Sequence, residues 1–427
     1  MFSKLKQSHF PQLLILFILA VYFLTATLTQ LLHLPLVIQM FMDVAWCLLG
    51  VLILINWRSL FQSSIQVKAL LAVVVLFFLS TLVGLALNYQ SILYYLWGIR
   101  NNFAYLVFFF ACILFLNAER IQDYWKCFDL LFAVNFLVTL FQFFILGYEQ
   151  DYLGGIFGVQ QGCNSRTNAF LMIVITCSIV RYLNQQEKAW VCLLKCAMAL
   201  IIAALAELKM FILEFCVIIV LAVLLTKFSR RKLYLLIGGC IGGILAIQIL
   251  IWIFPEWAGT FSVKGFWEIA ASTNGYTGAG DGEFNRLTAI PMAWSTYLTT
   301  WQQKLFGLGL GNCDYSPYAF LTTPFYTQYG ATHYTWLHSG FLMLETGLVG
   351  VVLYCGIFAA IFFAVHSLER RGTGDTVCCQ TAKILALMCL LLIIYNVSLR
   401  EYTAYMLFFV LALPFLSSGS GQNTTIE

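Results

Sequence analysis

The fold this sequence predicts is an all-α integral membrane protein with about twelve transmembrane helices and one large extramembrane loop. Three observations predict it. The 427 residues are 61% hydrophobic and only 10% charged, whereas soluble domains carry roughly 25% charged residues. Apolar runs of about 20 residues, enough to cross roughly 30 Å of hydrocarbon, recur along the whole chain. Lys and Arg fall mainly in alternate loops, as the positive-inside rule requires.

Taken in order, the predicted crossings are residues 13–32, 35–55, 67–87, 93–116, 127–147, 168–183, 190–206, 210–226, 233–254, 341–365, 384–399 and 402–416. The first run is long enough to cross and lacks a small-residue cleavage pattern, so no removable signal segment is expected. Residues 190–226 could form one long helix, but Glu207-Leu208-Lys209 interrupts the run where a tight hairpin would emerge. Charge decides for the hairpin: one helix there would invert everything downstream and move the cations at 227–232 to the outer face.

With the N-terminus inside, the inner loops collect Lys4, Lys6, Arg58, Lys68, Arg120, Lys126, Arg181, Lys188, Lys227, Arg230, Arg231, Lys232, Arg370, Arg371 and Lys383. Lys195 falls within a span near its inner end. Arg100, Arg166, Lys209, Lys264, Arg286, Lys304 and Arg400 fall on the outer face instead. Several of these lie at or just inside a span end, where a charge is expensive and usually functional. Cations gathered at membrane depth point to a lipid-anchored anionic substrate.

The domain division follows. Residues 1–254 hold nine spans, 255–340 form the large outer loop, 341–416 hold three more spans, and 417–427 form a small polar tail expected to be disordered inside the cell. The stretch 272–282 is rich in Gly, Ser and Thr and reads as mobile loop. Phe284, Leu287, Ile290, Trp294, Tyr297, Trp301 and Leu305 then recur at helical spacing, predicting an amphipathic interfacial helix kinked or restarted at Pro291. The run Phe306-Gly-Leu-Gly-Leu-Gly-Asn312 lacks the strand-then-helix context of a nucleotide loop and reads as a tight, close-packed turn. The 14 cysteines show no metal-ligand spacing; only Cys163 and Cys313 fall in outer loops, where a disulfide is open to them. Asp43, alone in its span, reads as a structural Asp. Lys264 and Lys304 read as solvated.

The run His338-Ser-Gly-Phe-Leu-Met-Leu-Glu345-Thr-Gly347-Leu-Val-Gly350, preceded by Arg286 and the glycine run 307–311, resembles the signature of the O-antigen ligase and Wzy-type polysaccharide polymerase superfamily. Ala206-Glu207-Leu-Lys209 and Gly98-Ile-Arg100 are more similar to the polymerases than to the ligases. The resemblance implies a GT-C-like architecture in a bacterial inner membrane, with both termini cytoplasmic and a periplasmic site. It implies polymerisation of polyprenyl-diphosphate-linked oligosaccharide units into O-antigen, capsule or exopolysaccharide. Transfer of the same glycan to lipid A-core, by a ligase, is the rival; a transporter of the lipid-linked glycan is a third reading. Partners would be the lipid-linked donor and acceptor, membrane lipids and a chain-length regulator protein. No nucleic acid and no cofactor is expected.

Such chemistry has defined needs. A diphosphate leaving group needs charge stabilisation, which the planar fork of Arg supplies best. The acceptor hydroxyl needs a base, usually His near neutral pH. The expected site is therefore His338 as base or orienting residue, with Arg286 and Arg166 on the diphosphate. Arg100, Lys209, Glu207, Arg400 and His333 form a second tier that binds substrate. Arg100, about seven residues into its span, would otherwise need an ion-pair partner such as Glu207 or Glu401. Glu207 is an alternative base, or with Glu214 a counter-ion. Tyr315, Tyr318, Phe325, Tyr326, Tyr329 and Tyr334 are the plausible glycan contacts.

Overall fold

The computed structural model describes residues 9–226, 230–253, 255 and 283–416. Lys4, Lys6, Lys227, Lys264, the glycine-rich stretch 272–282 and the tail 417–427 lie outside the described residues. Every described element is helical, with no strand among them. The helices are α1 (Phe10–Ala26), α2 (Met40–Ile55), α3 (Trp57–Gln62), α4 (Ile65–Leu87), α5 (Ile92–Phe115), α6 (Ile121–Phe144), α7 (Asn164–Leu183), α8 (Ala189–Leu205), α9 (Lys209–Leu225) and α10 (Arg230–Ile253). After them come α11 (Ala289–Met292), α12 (Trp301–Phe306), α13 (Pro324–Tyr329), α14 (His338–Arg371), α15 (Thr376–Tyr395) and α16 (Thr403–Ala412).

Nine of the described helical stretches are long and apolar enough to cross a bilayer. The chain is thus a multi-pass membrane protein. Its surface agrees: Leu54, Leu137, Phe144, Leu224, Ile244 and Phe363 are all exposed, an arrangement that water would penalise and lipid favours. The other three expected crossings are shorter helices, α8 and α9 of 17 residues each and α16 of ten residues. The break between α8 and α9 stands where the sequence places it. Ala206 and Glu207 form the turn, and Glu207 takes a left-handed backbone, φ +54°.

Burial separates inner from outer helices. α7, α15 and α16 are almost wholly buried, every residue of α16 among them, whereas α2, α4, α6 and α10 turn most of their surface outward. α14 packs most extensively on α15 and α4, and α16 on α5. The N-termini of α7, α9, α14 and α16 and the C-terminus of α15 come together at one end of the bundle, called here the loop end, because segment 283–337 rests on it.

The amphipathic helix expected over 284–305 is not continuous. α11 is a single turn containing Pro291, a π-turn follows at Ala293–Tyr297, and the chain opens at Leu298. Thr300 then caps α12 by a capping box with Gln303, so the restart falls nine residues past the proline. Trp294 and Trp301 pack edge to face, centroids 5.9 Å apart, and the Lys304 ammonium lies 5.2 and 5.5 Å from them. Lys304 is therefore a cation over two indoles rather than a solvated lysine. Tyr334 is fully buried, and with Phe284, Tyr297, Phe325 and Tyr329 it forms the loop's own aromatic core.

Candidate functional site

Glycine chemistry docks the loop. Gly307, Gly309 and Gly311 all have positive φ, at +72°, +102° and +80°. Gly347 takes φ +62° and breaks α14 after its first nine residues, 338–346. That break frees carbonyls that a continuous helix would use internally. Leu308 N–H donates to Leu344 O at 2.8 Å, and Gly309 N–H to Glu345 O at 3.1 Å. Gly311 N–H reaches the Glu345 carboxylate itself, at 2.9 Å. From the other side Gln90 Nε2 donates to Leu310 O at 2.6 Å. The run is the close-packed turn expected, and its function is to hold Glu345 in place.

Glu345 faces Arg400, which the 396–402 turn brings in between α15 and α16. Arg400 Nη1 donates to Glu345 Oε2 and Nη2 to Asp314 Oδ2, both at 2.8 Å; Asn102 Oδ1 accepts from Nη1 at 3.2 Å. The guanidinium also lies over the Phe341 ring, 3.8 Å from its centroid. All three charged groups are buried. Burial works against the Arg400 charge, but the two carboxylates more than reverse that and hold it firmly protonated. Asn101 extends the network, donating to Asp314 at 2.6 Å and accepting from Arg100 at 2.8 Å.

Arg100 has a different partner from those expected. It grips Asp43 through two bonds, Nε to Oδ1 at 3.1 Å and Nη2 to Oδ2 at 2.9 Å, donates to the Tyr402 hydroxyl, and stacks on Trp97. Neither Glu207 nor Glu401 supplies that pair. Asp43 is correspondingly not the lone carboxyl that its span suggests. Helices α2 and α5 lie far apart in sequence, so only packing could pair them.

The remaining candidates lie at the rim of the loop end. Arg166, on the first turn of α7, lies 3.9 Å from Glu401. Beside it Asn164 donates to Asp151 at 2.9 Å and to Ala206 O at 3.4 Å, tying the 148–163 loop to the α8–α9 hairpin. Lys209 pairs with Glu207 at 3.1 Å. Arg286 sits 4.8 Å from the Tyr395 ring centroid and near enough to Lys209 for the two charges to repel. Glu214 is deeper and accepts from Asn168 at 2.8 Å.

His338 opens α14 but does not face the rim. It is 1% exposed, lies against Tyr354 at 5.0 Å and feels the charge of Arg400, and neither ring nitrogen has a hydrogen-bond partner among the described residues. His333 lies outside this group, stacked on Trp336 with Nε2 3.7 Å from Glu283. Sequence reasoning passed over Asp314, Asn101, Asn102 and Tyr402. Asp314 carried the one legible signal, an acid three residues past the last glycine of the run.

At the opposite end, Asp129 and Glu187 neutralise Arg181 and Lys195 at 2.8–3.3 Å, which accounts for the lysine inside a span. A cavity of about 520 Å³ lined by Tyr182, Lys188, Arg231 and Tyr234 also lies there.

Cys163 and Cys313 carry free thiols. Both are buried; Cys163 donates to Gly158 O at 3.2 Å, and burial pushes its thiol up to about 12. Burial raises Cys313 as well. The thiolate is the reactive form. Variants retaining one or the other cysteine should therefore resist an impermeant maleimide at pH 8 and label after denaturation. Rapid labelling of the folded protein would contradict this placement.

No protein-family model matches this chain, and no curated protein matches it.

Proposed function

We propose that this chain is a membrane glycosyltransferase that polymerises oligosaccharide units carried on a polyprenyl diphosphate. In this reading α8, α9 and α16 also cross the bilayer, for twelve crossings of GT-C type, and the loop end faces the periplasm. The observation that carries it is that Arg166, Lys209 and Arg286, from three distant segments, stand at one end of the bundle. Lipid-anchored diphosphate arrives at the depth where such cations stand, and guanidinium groups pair with its oxygens two at a time.

The reaction needs no external energy source, because the sugar–diphosphate bond already holds it. The terminal hydroxyl of a fresh unit attacks the anomeric carbon of the growing chain. The bond to the diphosphate breaks, and the electron pair leaves on the diphosphate oxygen, where Arg166 and Arg286 stabilise it. Lys209 lies next to Arg286 and adds charge. Burial beside Arg400 favours an orienting role for His338 at the start of α14 over contact with the acceptor hydroxyl. Arg100 and Arg400, each already held by carboxylates, support the scaffold.

The test is elongation of the producing strain's own diphosphate-lipid repeat unit by purified full-length protein without ATP. Arg166→Lys and Arg286→Lys should each lower the rate at least about tenfold, since one bidentate charged bond lost is worth on the order of 1.5–3 kcal/mol. Full tolerance of both changes would reduce these residues to headgroup anchors. In a deletion strain, loss of long chains is expected; accumulation of unattached long chains would instead make the protein a ligase.

A further inference from the structure

Among the described acids of the loop end, Glu401 is a half-exposed carboxylate set against a cation of the rim. Its neighbours in sequence, Arg400 and Tyr402, both turn into the buried network, to Glu345 and Asp314 on one side and to Arg100 on the other. Tyr105 Oη donates to Arg400 O at 2.9 Å, and Glu401 O accepts Ala404 N–H at 2.9 Å as α16 begins. The backbone of Glu401 is thus held on both sides, while its side chain turns the other way, toward Arg166. That side chain is 41% exposed and Arg166 33% exposed.

Most of the other described acids of the loop end are committed. Glu345 and Asp314 are buried on Arg400, Asp43 is bound twice by Arg100, and Glu207 is nearly buried against Lys209. Asp151 anchors Asn164. The Arg166–Glu401 contact, at 3.9 Å, is the longest of the rim ion pairs and the easiest to exchange.

Resting on the glycosyltransferase reading above, we infer that Glu401 is the base that deprotonates the acceptor hydroxyl, and that donor binding switches it on. While Arg166 faces it, the Glu401 carboxylate is occupied by the guanidinium; once the guanidinium turns to phosphate oxygens, the carboxylate is open to an acceptor hydroxyl. When the donor docks, Arg166 exchanges Glu401 for phosphate oxygens. The freed carboxylate accepts the hydroxyl proton as the hydroxyl oxygen bonds to the anomeric carbon. The anomeric C–O bond breaks with its electron pair going to the diphosphate, and Glu401 then gives its proton to water. Among the described residues, the other charged and titratable groups around Glu401 are Tyr22 of α1, Tyr105 of α5, and Arg400 and Tyr402 of its own turn; Arg100 and Asp43 also act on Tyr105.

Two readouts on full-length protein in detergent separate a base from a mere prop for Arg166. One is binding of farnesyl diphosphate, a soluble polyprenyl diphosphate; the other is elongation of the native lipid-linked unit. Glu401→Gln should lower elongation about 10²–10⁴-fold, the usual worth of a positioned base. It should bind farnesyl diphosphate as tightly as wild type or more tightly, because the competitor for Arg166 has lost its charge. Glu401→Asp, which keeps a carboxylate, should recover part of the elongation that Glu401→Gln loses, while both variants bind farnesyl diphosphate. Elongation by Glu401→Gln within threefold of wild type would overturn the inference. So would parallel loss of farnesyl diphosphate binding, which a structural partner of Arg166 predicts. Wild-type protein that neither binds nor elongates would reject the glycosyltransferase reading, and this inference with it.

Discussion

Replacing Arg400 with methionine should cost about 3–5 kcal/mol of stability, the range seen when one partner of a buried charge set is removed. The loss comes from what stays behind. Glu345 and Asp314 would remain buried with no cation between them, and Asn102 would lose its donor. Glu345→Gln and Asp314→Asn added together to Arg400→Met should recover much of the loss, since neutral amides can satisfy each other without a charge. Thermal unfolding of the detergent-extracted protein measures both. An unchanged midpoint in Arg400→Met would mean that the network contributes nothing, and that the loop is held by its glycine contacts alone.

Gly311→Ala should detach the outer loop from the bundle. A Cβ at this position would stand 2.0 Å from Tyr94 O and 2.7 Å from Gly98 N, both backbone atoms of α5 that cannot step aside. The φ of +80° adds on the order of 1–2 kcal/mol of strain for any side chain. Gly98→Ala should do the same from the opposite surface, its Cβ falling 2.6 Å from Gly311 N. The expected result is rapid proteolysis within 283–337 while the helical CD signal stays near wild type, because the bundle helices do not depend on that contact. Protection equal to wild type in both variants would refute the close docking of the two backbones. Gly356→Ala on α14, whose added methyl meets only Val73 Cγ1 at 3.8 Å, is the matched control and should be silent.

These two sites show how far residue order reaches. The tight turn at 307–311 was legible, because three glycines in five residues serve little else. The need for Gly347 was not, since it lies in an apolar run that reads as unbroken helix; the positive φ there is visible only once the loop's N–H groups are seen bonding Leu344 and Glu345. Six of the seven cations expected on one face, all but Lys264, which lies outside the described residues, gather at the loop end, but their partners were not legible. Arg100 pairs across 57 positions with Asp43 and Arg400 across 86 with Asp314. The expected helix over 284–305 failed for a related reason: its periodicity was real, but capping by Thr300 and the aromatic core of the loop offered a better solution than one straight cylinder.

By itself the sequence determined that this is a multi-pass helical membrane protein, where most of its helices run, and which charges stand at a cost. Those properties follow from local composition and periodicity, since lipid demands that each segment satisfy its own backbone bonds. The tertiary structure alone decided which charges neutralise one another, leaving Arg400 locked in a buried network, Arg100 held by half-buried Asp43, His338 enclosed, and Arg166 facing Glu401 across 3.9 Å at the rim. Pairing is a property of distance in space, and helices adjacent in a bundle need not be adjacent in the chain.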